Sequence, residues 1–261
     1  MDRTREILDA LTSAVNEQFS RREVGLLFSG GLDSSVLAVV SACCSTPRLY
    51  TVGVEGAHDL IVAESTAAHL GLSWKGVIVD EGDVMRAIVS VSRLIFTRDP
   101  VTISFEMPLY LVSRSAAEDL LVSGQGADEL FGGYARYLRM SPDELQENMK
   151  MDLASLLDTG LRNERLIAGH WGKEVLHPYL HPTVINAVGA VPAAEHIRGG
   201  VRKVVLRDVG LSLGLGEIAT REKKAAQYGS GIMKTMKAAA KRNGMTLGRF
   251  IEDLVDKGES P

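Results

Sequence analysis

The chain has 261 residues, 45% hydrophobic and 24% charged, with a formal net charge of −4 at pH 7. That length admits one large domain or two small ones, and the composition is that of a soluble globular protein. The acidic balance and the lack of a long Lys/Arg run speak against a large nucleic-acid footprint, and no uncharged apolar stretch reaches membrane-spanning length.

In chain order, the first segment is amphipathic (Ile7, Leu8, Leu11, Val15, Phe19). It mixes acids with bases and lacks the form of a signal peptide. Short apolar runs predict strands at 23–28, 48–55, 74–80 and 119–124. Helical patterns fall between them, near 33–44, 58–70, 83–97 and 107–118. Asp59 precedes "LIVAESTAAHLG", where Gly71 is a natural stop. This alternation implies βαβ units and a parallel, doubly wound sheet with helices on its faces. After about residue 135 the pattern is mostly helical: 143–158, 161–170, 182–190, 200–212 and 232–256. The expected organisation is an α/β core over 1–135 and a helical part over 136–261. The helical part is expected to pack against the sheet's C-terminal edge and complete the site, as one compact domain. The final "DKGESP" is expected to fray.

Cys43 and Cys44 are adjacent and no CxxC occurs, so a reduced, cytoplasmic setting and two small buried thiols are expected. His170, His177, His181 and His196 lack metal-site spacing. His177 and His181 flank "PY", so one of them could reach an acceptor pocket. Trp74 and Trp171 read as packing residues. Tyr134 and Tyr137 either line a crevice or anchor a helix.

Chemistry concentrates in two loops. "GLLFSGGLDSSVLAVV" (25–40) is a strand that ends in Ser29-Gly30-Gly31 and feeds a helix. Glycines let the backbone approach an anion, and a helix N-terminus offers unpaired N–H groups. Ser34 and Ser35 add donors. Asp33 beside a polyphosphate is repulsive unless a cation such as Mg²⁺ lies between them; the plainer reading is a helix cap. "LLVSGQGADELFGGY" (120–134) repeats the theme with Ser123, Gly124 and Asp128. Both loops leave the C-terminal ends of parallel strands. Neighbouring strands at the point where strand order reverses would make them face each other across a ligand crevice. Asp33 and Asp128 could then share one or two Mg²⁺ ions.

"SGGLDSS" resembles the pyrophosphatase loop of the ATP pyrophosphatases, the adenine-nucleotide α-hydrolase fold, and "SGQGADELFGGY" resembles the asparagine synthetase group within it. "YTVGVEGAHDLIVAESTAAHLG", "FEMPLYLVSRSA" (105–116), "GKEVLHPYL" (172–180), "VRKVVLRDV" and "REKKAAQYGSG" resemble further segments of the synthetase half, from roughly 20 to 240. The resemblance implies that ATP lies with its adenine near Leu27 and Val52 and its phosphates on Ser29, Gly30, Gly31, Asp33, Ser34, Ser35, Ser123 and Gly124. A substrate carboxylate would attack the α-phosphate, and ammonia or an amine would then displace AMP. Lys223 matches the family's catalytic lysine, Lys203 its phosphate-binding lysine, and Glu174 its retained acid.

Three departures bear on the acceptor side. Gln125 stands where asparagine-making members carry Glu, and Gln cannot take up a proton at neutral pH. Leu176 and His181 stand where the family has Arg and Asp. Residue 2 is Asp2 rather than a nucleophilic Cys. The glutaminase half is therefore expected to be absent, with ammonia drawn from solution or from a separate glutaminase partner. The expected activity is an ATP-dependent carboxylate–amine ligase, with asparagine synthesis the nearest family reaction. A tRNA-modifying ATP pyrophosphatase and a nucleotide-binding regulatory module are the alternatives. Oligomeric state stays open, a homodimer included.

Overall fold

The computed structural model describes residues 3–221 and 229–257. Five parallel strands form one sheet in the order β3-β2-β1-β4-β5: β1 Glu23–Leu27, β2 Thr46–Gly53, β3 Trp74–Ile78, β4 Leu120–Val122 and β5 Glu174–Leu176. The central strands are apolar because both faces are covered. Helices α1 (Arg3–Phe19), α2 (Leu32–Ala42) and α3 (His58–Leu70) cover one face, with Leu11, Val15, Leu37 and Ala63 in a shared core. Helices α4 (Glu81–Leu94) and α5 (Pro100–Ser115) bury Ile88, Val91, Ile103 and Met107 on the other.

Strand order reverses between β1 and β4, where Gly25 pairs with Leu121 and Leu26 with Val122. That register brings the loops after Leu27 and Val122 out at the same level of one rim. Between β4 and β5 lie the short helix α6 (Ala127–Leu130), then α7 (Pro142–Ser155) and α8 (Leu161–His170). After β5 come α9 (Pro182–Gly189), a two-stranded antiparallel ribbon of β6 (Ile197–Arg198) and β7 (Val201–Arg202), then α10 (Val204–Ser212), α11 (Gly216–Thr220), α12 (Ile232–Arg242) and α13 (Leu247–Lys257).

Local chemistry explains most boundaries. Gly71 ends α3 at φ +66°, in the left-handed region that favours glycine. Ser141 and Glu144 form a capping box on α7, and Asp80 and Asp83 one on α4. Helix α5 starts at Pro100, earlier than the pattern at 107–118 indicates. Asp99 caps it by accepting the Thr102 amide at 2.7 Å, so Pro108 falls inside the helix.

Other expectations need correction. Ala57, with no side-chain bond, is the N-cap of α3, and Asp59 lies within its first turn. The helix expected over 200–212 starts only at Val204, because Gly199 and Gly200 (φ +57° and +78°) close a two-residue hairpin turn. The helix expected over 232–256 is two helices, parted by Asn243 and Gly244, the latter at φ +66°. Cys43 is exposed and Cys44 half-buried at the end of α2, so neither is a core thiol. Of the two readings of Tyr134 and Tyr137, the structure favours the anchor: the rings meet edge to face, and their hydroxyls bind Glu129 and Asp152.

Candidate active site

The first loop is held by its own hydroxyls. Ser29 Oγ and Ser34 Oγ lie 3.2 Å apart, Ser34 Oγ donates to the Gly31 carbonyl at 3.3 Å, and the Gly31 amide donates to Ser29 Oγ at 3.4 Å. Gly30 has φ +68°, and a Cβ there would lie 2.9 Å from Ala63 Cα, so the turn presses against α3 as only glycine allows. Gly31 is the N-cap of α2 and no side chain caps that end. Asp33 is therefore not the cap, and the N-terminus of α2 opens on the cavity lined by Gly30 and Gly31.

The Asp33 carboxylate turns toward the second loop. Lys203 Nζ donates to Asp33 Oδ1 at 2.6 Å and lies 2.7 Å from Asp128 Oδ1. The lysine side chain is only 5% exposed, against 17% for Asp33 and 26% for Asp128. The β6–β7 hairpin delivers Lys203 to this place, at φ +59° as the N-cap of α10. A left-handed conformation costs a non-glycine residue about 1 kcal/mol, which the ion pairs offset. Gly133 makes room: a Cβ there would sit 1.9 Å from Asp128 Oδ1 and 2.2 Å from Lys203 Cε. The Tyr179 hydroxyl donates to the Asp33 carbonyl at 2.9 Å and ties the loop to the segment after β5.

Two cavities open on this rim. The larger, about 510 Å³, is lined by Ser29, Gly30, Gly31, Asp33, Lys203 and Arg207, among others. The smaller, about 220 Å³, is lined by Ser29, Asp33, Ser34 and Asp59 together with the other loop's Ser123, Gly124, Gln125 and Asp128. Leu27, Val52, Leu109 and Val112 contribute apolar lining to it. Burial pushes the Asp59 carboxyl up, while neighbouring His58 works against the shift.

The sheet thus gathers Leu27, Ser29, Gly30, Gly31, Asp33, Ser34, Val52, Ser123, Gly124, Gln125, Asp128 and Lys203 around adjoining cavities. It does not gather two others. Ser35 is wholly buried within α2. Glu174 opens β5, paired with Leu120, at the end of the sheet away from the rim, and it is exposed. Lys223 lies outside the described residues. Sequence reasoning missed Glu106, Glu164, Arg207 and Tyr179. Burial of Glu106 and Glu164 is a tertiary effect, whereas the tight "FGGY" turn hinted at a crowded Gly133.

The acids fit a hard divalent cation. Asp33 and Asp128 converge on one ammonium from two loops, as two carboxylates would on Mg²⁺. Among the described residues no three His, Cys, Asp or Glu side chains form a cage. Mg²⁺ is commonly held by one or two carboxylates together with substrate phosphates.

A family profile described as asparagine synthase matches residues 6–142 and 139–257. A Methanocaldococcus jannaschii protein provisionally named asparagine synthetase (glutamine-hydrolyzing) 1 is 33% identical, over 89% of this chain and 50% of its own length. Asparagine synthetase B (glutamine-hydrolyzing) of Escherichia coli K12 is 28% identical, over 87% of this chain and 45% of its own. This chain spans half or less of the length of these relatives. NMN synthetase from Francisella tularensis superposes with a TM-score of 0.45 and 9% identity, over 99% of this chain and 93% of that one. No helix among the described residues is long and apolar enough to cross a membrane.

Proposed function

The chain belongs to the asparagine synthase family, and from that premise we propose that it is an ATP-dependent carboxylate–amine ligase that releases AMP and pyrophosphate. One observation carries this reading. Two Ser-Gly loops leave adjacent strands at the reversal of strand order, and their aspartates meet at one buried lysine. Ligands of open α/β sheets bind in that crevice.

ATP lies with its adenine against Leu27 and Val52 and its phosphates on the amides of the first loop, with Ser123 and Gly124 closing from the other side. A carboxylate oxygen attacks the α-phosphorus, the bond to pyrophosphate breaks, and an acyl-adenylate remains. An amine nitrogen then attacks the acyl carbon and AMP leaves. Bound Mg²⁺ would be held by Asp33 and Asp128 and would neutralise charge on the leaving pyrophosphate. Lys203 and Arg207, both on the larger cavity, can follow charge onto the phosphate oxygens. Lys223 carries the catalytic assignment by its place in the "REKK" segment. Aspartate and ammonia are the family's substrates. Gln125, Leu176 and His181 mark the acceptor side as the part that differs, and a separate glutaminase as ammonia source remains part of the reading.

The test is pyrophosphate release from Mg·ATP across a panel of carboxylic acids that includes aspartate, with and without ammonium. Acid-dependent release is expected, and it should fall by at least about 10²-fold in Asp33→Asn or Asp128→Asn. Near-wild-type release in both variants would refute the two-aspartate site.

A further inference from the structure

The smaller cavity ends on a group that this reaction scheme leaves unused. Glu106 of α5 and Glu164 of α8 both line it, beside Gln125, Ser123 and Gly124. Each residue is 3% exposed. A carboxylate that deep is costly unless it is paired or protonated. Glu164 is paired, since its Oε2 bonds to His177 Nε2. Glu106 is different. No Lys, Arg or His among the described residues forms an ion pair with it, and only the Asn163 side chain bonds to it. Among the described residues this buried carboxyl thus has no counter-charge, and it lines the same cavity as the phosphate loop.

The chemistry of the second half-reaction needs such a group. The attacking nitrogen arrives as an ammonium or alkylammonium ion and cannot attack until a proton leaves. The family position for an acid in this crevice is occupied by Gln125, which hydrogen-bonds but accepts no proton. We propose that Glu106, backed by Glu164 and His177, takes this proton from an ammonium or primary amine acceptor, an inference that rests on the adenylation reading above. An incoming cation supplies a counter-charge that the described residues do not give Glu106, whereas an anionic acceptor would be repelled by both acids. Burial and the adjacent Glu164 push the Glu106 carboxyl up to about 8, close to the value at which proton transfer is most effective near neutral pH.

The steps balance. Glu106 acts in its carboxylate form, which the incoming cation favours: an N–H bond of the ammonium breaks and its proton goes to that carboxylate. The freed lone pair forms the C–N bond. The acyl C–O bond breaks, and its electron pair leaves on the AMP phosphate. The second nitrogen proton leaves with the AMP phosphate.

Two nucleophiles separate this role from a structural one. Hydroxylamine is already a free base near neutral pH and attacks an acyl-adenylate without a proton acceptor for prior deprotonation. Ammonium chloride does need one. Wild type, Glu106→Gln and the double variant Glu106→Gln/Gln125→Glu are compared with both, using every acid of the panel above. In Glu106→Gln, amide from ammonium should fall about 10²-fold relative to hydroxamate, the usual weight of a general base. In the double variant, the acid restored at the family position should recover a large part of that ratio. Equal losses of amide and hydroxamate in Glu106→Gln, or no loss of either, would overturn the proposal while leaving adenylation standing. Absence of hydroxamate from wild type with every acid would overturn the ligase reading, and this inference with it.

Discussion

Lys203→Met keeps the length and burial of the side chain and the left-handed backbone at φ +59°, and removes only the charge. In wild type that charge lies 2.6 Å from Asp33 and 2.7 Å from Asp128. Removing one partner of a fully buried ion pair costs about 3–5 kcal/mol. Here two carboxylates lose the cation they share, but at 17% and 26% exposure they remain partly solvated. A loss of about 2–3 kcal/mol is therefore expected, and for a chain of this size it lowers Tm by roughly 5–10 °C. A divalent cation can replace the missing charge between the two acids. Mg²⁺ should thus raise the variant's Tm by several degrees more than it raises the wild type's. The assay is thermal unfolding followed by circular dichroism, in EDTA and in millimolar MgCl₂. A variant Tm within about 1 °C of wild type in EDTA would refute the shared counter-ion. Equal Mg²⁺ effects on both proteins would refute the reading that a divalent cation can stand in for the lysine charge beside the two acids.

Two more outcomes follow from packing and burial. Gly133→Ala forces a methyl group to within 1.9 Å of Asp128 Oδ1 and 2.2 Å of Lys203 Cε. It should cost about 1–3 kcal/mol, as overpacking usually does, and displace one of the pair, so pyrophosphate release should drop sharply while far-UV circular dichroism is kept. Release at the wild-type rate would show that the turn moves freely. The Glu106 carboxyl, ordinarily at 4.5, is raised to about 8 by burial and by Glu164, so the folded state holds this proton more tightly than the unfolded chain. Its stabilising contribution is complete below about pH 4.5 and is lost as pH rises through about 8. Glu106→Gln does not titrate, so its Tm relative to wild type should climb between pH 5 and 9. Parallel Tm–pH curves for the two proteins would show that Glu106 ionises freely.

The sequence by itself determined the parts whose signal is local. The first four strands are short apolar runs bounded by turn residues, and they stand side by side in the sheet, β3 at its edge, at nearly the expected positions. Helices α2, α3 and α4 follow the same logic. "SGGLDSS" and "SGQGADELFGGY" mark glycine-rich turns after two strands, and both turns line one cavity.

Only the tertiary structure decided the rest. β5 has three residues and β6 and β7 two each, too few for any periodicity. β5 exists because β4 offers it a partner, and β6 and β7 pair with each other across Gly199 and Gly200. The same geometry sets Glu174 at the far end of β5 and brings Lys203 onto Asp33, 170 residues away. Whether a lysine is a solvated surface charge or a buried counter-ion depends on what the fold stacks around it. Glu106 makes the point again, as an ordinary helical acid until α8 packs Glu164 beside it and closes both from water. Burial and proximity between distant segments set the charges of this site, and neither is written in a local stretch of chain.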